Sequence, residues 1–326
     1  KDDRDLTMVN EVSFSLSAGE ILGVAGVDGN GQKELDVVYA PLGLLALGAY
    51  LETEFSVAIL DQRLYTHTEF DQVLSEELQK QPTLVGVTAI TGRQITYGLE
   101  ISSFIKQTNP SIPIAWGGVH PTFIAEITLA NEFIDYVVRY EGEATLLELT
   151  QALRDGRTDL ENILGLCFKR DGQSVLNAAR PQLDMQKLPQ PAWHLIDVPR
   201  YVVGLSAAES DRPIDVATAR GCPFRCAFCY EIDWSGRMYR SRSSDQVIEE
   251  LRMLADQFGT NHVIIHDDLA IVNKQSKERM IRILSGMNED GYSTRFTFTY
   301  RVDQLCRDVP FAEEMVKYGW YEMRAG

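Results

Sequence analysis

Cys222, Cys226 and Cys229 stand in the spacing C-x3-C-x2-C within the run Arg220-Gly-Cys-Pro-Phe-Arg-Cys-Ala-Phe-Cys-Tyr230. Three thiolates crowded on one short loop repel each other unless a cation holds them, and soft thiolates select zinc or iron–sulfur centres. A structural zinc site closes with four ligands. No fourth Cys or His lies at the usual short spacing, so zinc would need a distant ligand such as His194 or His266. A cubane iron–sulfur cluster on three Cys instead leaves one iron open to a substrate or cofactor. The remaining cysteines, Cys167 in an apolar run and Cys306 after a strand end, read as plain thiols. Three of five Cys on one loop fit a reducing compartment better than a disulfide framework.

The elements around the loop follow a strand–helix rhythm. A strand over 214–218 feeds the cysteines, and a helix over 245–258 follows with Asp245 as its cap. A strand over 262–266 ends at Asp267 and Asp268, and a helix over 274–289 leads to a strand over 295–300 ending at Arg301. A helix over 311–317 and a strand beginning at 320–323 complete the series. Functional residues in β/α barrels sit at the carboxyl ends of the strands, which places the cysteine loop, Asp267, Asp268 and Arg301 on one rim.

Upstream, an apolar helix with Pro at its start covers 41–51. Strands over 55–60, 84–88, 112–116 and 134–138 then alternate with helices over 69–79, 94–107, 121–130 and 144–154. Such alternation predicts a parallel sheet covered on both faces, with ligands at the carboxyl ends of its strands. Three strand-end loops, 88–92, 117–121 and 141–143, are the candidate ligand rim, and Gly117 and Gly118 lack the Cβ atoms that would block close approach. A hairpin around Asp171-Gly172 and a proline-rich stretch over 181–199 link the two series, with Trp193 as a packing anchor.

Composition narrows the function class. A chain of 326 residues suggests about two domains, and 44% hydrophobic content suffices for sizeable cores. The formal charge of −16 argues against nucleic acid or an anionic membrane as the main partner. The basic cluster over 237–242 reads as a solvated loop. No apolar run reaches the roughly 18 residues of a transmembrane candidate, and the acidic start lacks a signal-peptide pattern, so a cytoplasmic location is expected.

With Phe228 as its aromatic, the C-x3-C-x-aromatic-C loop resembles the signature of radical S-adenosylmethionine (SAM) enzymes. The resemblance implies a 4Fe-4S cluster on Cys222, Cys226 and Cys229, whose open iron chelates SAM and whose electron cleaves it to a 5′-deoxyadenosyl radical. It implies an electron donor such as flavodoxin or ferredoxin, and an unknown small-molecule or peptide substrate that is methylated, cyclised or oxidised. It also places one of Asp267 and Asp268 near the SAM ammonium, where a carboxylate suits the charge, with Phe228 and Arg301 in the same region.

The upstream series resembles the cobalamin-binding domain that precedes the barrel in one class of these enzymes. That likeness implies corrinoid contacts from Thr88, Thr91, Gly117, Gly118, Glu141, Gly142 and Glu143. The Asp-x-His-x-x-Gly motif of some cobalamin proteins is absent, so His67 and His120 are not assigned to cobalt. The expected fold is α/β: a flavodoxin-like cobalamin-binding domain over 37–160, a hairpin and linker over 161–212, and a partial (β/α) radical SAM barrel over 213–326. The series stops short of the full set of units in such barrels, which predicts a chain that binds its cluster but turns over poorly.

Residues 6–36 instead resemble part of an ABC-transporter ATPase of the sugar-importer type. In the glycine-rich run over 26–33, Gln32 and Lys33 replace the Lys and the Ser or Thr that phosphate and magnesium require. The strand-like run over 20–27 is apolar enough to serve as the opening strand of the cobalamin sheet. Two other functions stand beside the main one: an ATP-binding fragment of a sugar importer, and a non-catalytic zinc- or corrinoid-binding module.

Overall fold

The computed structural model describes residues 21–25, 38–202, 211–289 and 291–325. The glycine-rich run 26–33 lies outside the described residues. The first half contains β1 (Ile21–Ala25), α1 (Leu42–Leu51), β2 (Val57–Asp61), α2 (His67–Gln79), β3 (Leu84–Thr88) and α3 (Arg93–Thr108). It continues with β4 (Ile114–Gly117), α4 (Val119–Phe123), α5 (Ala125–Ala130), β5 (Tyr136–Val138), α6 (Glu143–Arg154), β6 (Leu166–Arg170) and β7 (Gln173–Leu176).

These strands form one seven-stranded sheet in the order β2-β1-β3-β4-β5-β6-β7. The first five are parallel, in the 2-1-3-4-5 order of flavodoxin-like folds. β1 lies between β2 and β3, with Ile21 opposite both Val57 and Leu84, so the opening strand is drawn from before residue 37. The hairpin turns at Asp171 (φ 51°) and Gly172 (φ 76°). It extends the sheet rather than standing in a linker: β6 pairs antiparallel with β5, Cys167 opposite Val137, and covers an edge whose backbone groups would otherwise be unpaired. The helix expected over 121–130 is broken at Ile124 into α4 and α5.

The second half contains β8 (Pro213–Val216), β9 (Ala219–Arg220), α7 (Glu231–Ser235), β10 (Arg240–Ser241), α8 (Ser244–Phe258) and β11 (His262–Ile265). α9 (Lys274–Glu289), β12 (Arg295–Tyr300), α10 (Val302–Leu305), α11 (Val309–Lys317) and β13 (Trp320–Ala325) follow. β13, β12, β11 and β8 make a parallel sheet in that order, and β9 pairs with β10 in a short antiparallel ribbon. Ile214, Val216, Val263, Ile265, Phe296 and Phe298 alternate along the strands into a core shared with α8 and α9. Ser243, not Asp245, caps α8: its hydroxyl accepts from Gln246 N while the Gln246 side chain reaches back to Ser243 N. Asp245 lies in the first turn and pairs with Arg282 at 2.8 Å.

α1 joins the halves. Its sequence LGLLALGAYL is apolar on every side, the pattern of a helix buried all round. Leu51 packs with Phe55, Val57 and Leu149 of the first half, while Leu45 joins Trp193, Ile214 and Ile265 in the core of the second. Trp193 is the packing anchor expected, and its indole Nε1 donates to buried Glu250 at 2.7 Å. Glu250 also pairs with Arg242, and Arg240 pairs with Glu141, so of the basic cluster over 237–242 only Arg237 is the exposed charge that composition suggested. Among the described residues, no helix is long and apolar enough to cross a membrane.

Candidate functional site

The cysteine loop is hung from its own barrel by backbone hydrogen bonds to two carboxylates. Asp267 accepts from Thr218 N at 2.6 Å, from Ala219 N at 2.9 Å and from the Thr218 hydroxyl at 2.6 Å. It is buried, and burial pushes its carboxyl above the usual range. Asp267 is therefore occupied in bracing the loop. Asp268 Oδ2 accepts from Gly221 N at 2.9 Å, and the residue remains exposed. Gly221 has φ +89°, and a Cβ there would lie 1.9 Å from the Met238 carbonyl oxygen.

Cys222, Cys226 and Cys229 are free and half-buried, and Cys229 N donates to Cys226 O at 3.0 Å. Burial raises the Cys222 thiol. Arg301 stacks over Phe224 of the loop at 4.1 Å, binds Asp303 at 2.9 Å and reaches the Cys226 sulfur. Phe228 is 93% exposed at the loop's tip. Among the described residues, no three His, Cys, Asp or Glu side chains converge on one metal ion. The two histidines considered for a fourth zinc ligand are engaged elsewhere, His194 with Glu52 at 2.9 Å and His266 with Asp215 at 2.6 Å. Three thiols free of disulfides and spread along one loop suit a polynuclear cluster, in which each thiolate would take its own metal atom.

A second feature opens at the carboxyl ends of β3, β4 and β5. It is a mostly apolar cavity of about 260 Å³ between the sheet, α1 and α6. That is below the roughly 300–1,000 Å³ of pockets for whole drug-sized ligands, so it suits one arm of a larger ligand. Thr88, Gly117, Gly118, Glu141, Gly142 and Glu143 all line it. Gly118 has φ +100°, and a Cβ there would sit 2.7 Å from Ala89 O. Thr91 lies outside the lining, exposed, with its hydroxyl 3.0 Å from His120 Nδ1. A corrinoid arm fits this cradle: the walls are apolar and the rim lacks side chains where the β4 loop turns.

The two features touch. Arg220 and Trp234 of the second half also line the cavity. Arg220 Nη2 lies 2.6 Å from Glu143 Oε1, and Nη1 lies 3.4 Å from Glu141 Oε1. Arg240 adds a second clamp on Glu141 at 2.6 Å. Burial pushes the Glu141 carboxyl up, but the Arg240 hydrogen bond and the Arg220 charge outweigh it and leave the group below its usual range. Trp234 packs 5.9 Å from Tyr140 and 6.4 Å from Phe123, and Phe123 also meets Tyr230 at 6.4 Å. Glu231, at the start of α7, is buried with Oε1 unpartnered, and burial followed by the Asp268 charge pushes it to about 7. Reading the sequence missed Arg220, Arg240, Glu231, Tyr140 and Trp234. The one available signal was charge matching, two Arg beside the cysteine loop for two Glu at 141 and 143.

Residues 33–150 match the B12-binding domain family. An uncharacterized methyltransferase of Pyrococcus horikoshii is 32% identical over 271 residues, covering 82% of this chain and 57% of the relative. An anaerobic magnesium-protoporphyrin IX monomethyl ester cyclase of Rubrivivax gelatinosus is 30% identical over 272 residues, covering 82% and 46% respectively. The chain thus spans about half the length of these curated relatives. Among solved structures, the radical SAM methyltransferase TsrM from Kitasatospora setae, with tryptophan and a SAM analogue bound, superposes with a TM-score of 0.78 at 22% identity, covering 95% of this chain and 59% of TsrM. The cobalamin-dependent SAM radical enzyme OxsB, with aqua-cobalamin and SAM bound, gives 0.77 at 20% identity, covering 94% and 43%. The likeness of residues 6–36 to a transporter ATPase finds no support in these relatives: the B12-binding match begins within that segment, and β1 belongs to the sheet. Residues 33–150 are a B12-binding domain, joined to a β/α half-barrel in the fold of the cobalamin-dependent radical SAM enzymes.

Proposed function

We propose that this chain binds a corrinoid at the cavity over β3–β5 and a 4Fe-4S cluster on Cys222, Cys226 and Cys229, and uses SAM for radical methylation, cyclisation or oxidation of a small-molecule or peptide substrate. The observation that carries this reading is the contact between the two features, with Arg220 and Trp234 of the cysteine-loop half lining the cavity of the B12-binding domain. When bound, the reduced cluster supplies the electron that cleaves SAM, and the corrinoid supplies a carrier for a methyl group. The chain's own residues orient and exclude. Asp267 and Asp268 hold the loop backbone, Arg301 and Phe224 brace it beside Cys226, and the aromatic group of Phe123, Tyr140, Tyr230 and Trp234 lines the seam between the halves. Asp268 keeps an exposed carboxylate that would suit the SAM ammonium, and Phe228 stands exposed on the same loop, open to the cofactor. Thr91, beside His120 and outside the cavity lining, would hold a part of the corrinoid that the cavity does not take. A flavodoxin- or ferredoxin-type protein supplies the electron.

The test is anaerobic reconstitution with iron and sulfide, followed by metal analysis and an assay for 5′-deoxyadenosine under reducing conditions. The expected result is about four irons per chain, lost in Cys222→Ala, Cys226→Ala and Cys229→Ala and kept in Cys167→Ala and Cys306→Ala. Stoichiometric zinc without iron would favour the non-catalytic module. Equal iron loss in Cys306→Ala would show the ligand set to be wrong.

A further inference from the structure

Arg220 is the residue before Gly221-Cys222, yet its side chain leaves the cysteine loop for the other half of the molecule. Its partner Glu143 is the first residue of α6, and Gly142 is that helix's N-cap. Arg220, Glu141, Gly142 and Glu143 all line the cavity. Glu143 has only 4% side-chain exposure and Glu141 9%, so these carboxylates depend on their arginines. A buried ion pair that loses one partner strands the other charge at a large cost. Arg240 stands directly opposite Arg220 in the β9–β10 ribbon, and its Nη1 donates to Leu183 O at 2.7 Å as well as binding Glu141. The backbone flanking Arg220 is tied in the opposite direction, Ala219 N to Asp267 and Gly221 N to Asp268. One side chain therefore connects the cavity wall to the backbone that leads into the first cysteine.

We propose that Arg220 is a positioning residue that couples the two cofactor sites: its guanidinium holds the cavity wall over 141–143 and the entry to the cysteine loop in one arrangement, so that a corrinoid in the cavity and a cluster on the loop each favour the other. The inference rests on the function proposed above. Coupling between sites is reciprocal, and a typical coupling changes affinity roughly 5- to 150-fold. Arg220 touches neither the iron nor the cobalt chemistry in this scheme; it acts through Glu143 and through the backbone at Gly221.

The experiment titrates hydroxocobalamin into the full chain anaerobically, with the cluster assembled and with its iron removed by a chelator, and reads the corrinoid absorbance. Wild type is expected to bind the corrinoid at least about fivefold tighter with the cluster in place. Arg220→Met is expected to bind it equally in both states while still taking up iron, and Arg220→Lys to recover part of the difference. Should Arg220→Met fail to fold because it strands Glu143, the double variant Arg220→Met with Glu143→Gln removes both charges and is expected to show the same loss of coupling. A wild-type ratio in the folded variant, or a ratio of one in wild type, overturns the inference while leaving the proposed function intact. Wild type that binds no corrinoid, or no iron, sinks the proposed function and this inference together.

Discussion

At Gly221 the backbone is in the left-handed region, and the space a Cβ would take is filled by the Met238 carbonyl 1.9 Å away. Two penalties therefore fall on any side chain at this position: strain at positive φ, worth roughly 1–3 kcal/mol, and displacement of the turn between α7 and β10. Both act on the residue next to Cys222. Gly221→Ala is expected to lose most of its iron uptake on reconstitution while its far-ultraviolet circular dichroism stays close to wild type. Full iron loading by the variant would show that the loop tolerates a shift at its entry. Gly117 offers a contrast, because the nearest atom to its Cβ position is Val138 O at 3.7 Å, an ordinary contact. Of the two adjacent glycines, Gly118 is the one the backbone requires.

At the scale of elements, α8 shows how a helix end is chosen. Ser243 and Gln246 form a reciprocal box in which each side chain satisfies an N–H of the other's end of the first turn. The Gln246 side chain also donates to Gln186 O at 3.1 Å, so the box ties α8 to the proline-rich stretch. Ser243→Ala removes the cap and is expected to cost about 1 kcal/mol of stability, read as a lower denaturant midpoint with an unchanged slope. An unchanged midpoint would mean that Gln246 holds the helix end alone. α1 makes the complementary point: without a polar face it has no stable place on a single domain's surface, and its burial between two cores commits the halves to one interface.

For the molecule as a whole, acid stability reports on the ion pairs across that interface. Glu141 sits below its ordinary value of 4.5 in the folded chain. Below that ordinary value the unfolded chain takes up a proton that folded Glu141 still refuses. The unfolded state then binds more protons, and stability falls as pH falls. The contribution is complete above 4.5 and is lost as pH drops through the lowered folded value. Wild type is expected to lose thermal stability from about pH 5 downward, and Glu141→Gln to start lower at neutral pH and fall less steeply in that window. Parallel curves for the two proteins would remove Glu141 from the acid response.

What the sequence by itself determined is local in origin. The cysteine spacing, β3 over 84–88, α9 over 274–289 and β12 over 295–300 agree with the structure to the residue, because strand alternation, helical amphipathy and motif spacing are written within a few neighbours. Loops at strand ends followed from topology, and six of the seven residues expected at the corrinoid rim do line the cavity. Tertiary structure alone decided what those residues bind. Glu141 and Glu143 meet arginines 77 to 99 positions away, and Asp267 turns to the Thr218 and Ala219 backbone 48 to 49 positions back. A carboxylate in a sequence carries no mark of which distant cation or amide will reach it. That choice is made when α1 buries both its sides and brings the β5 loop against the cysteine loop, where unpaired buried charge would be too costly to keep.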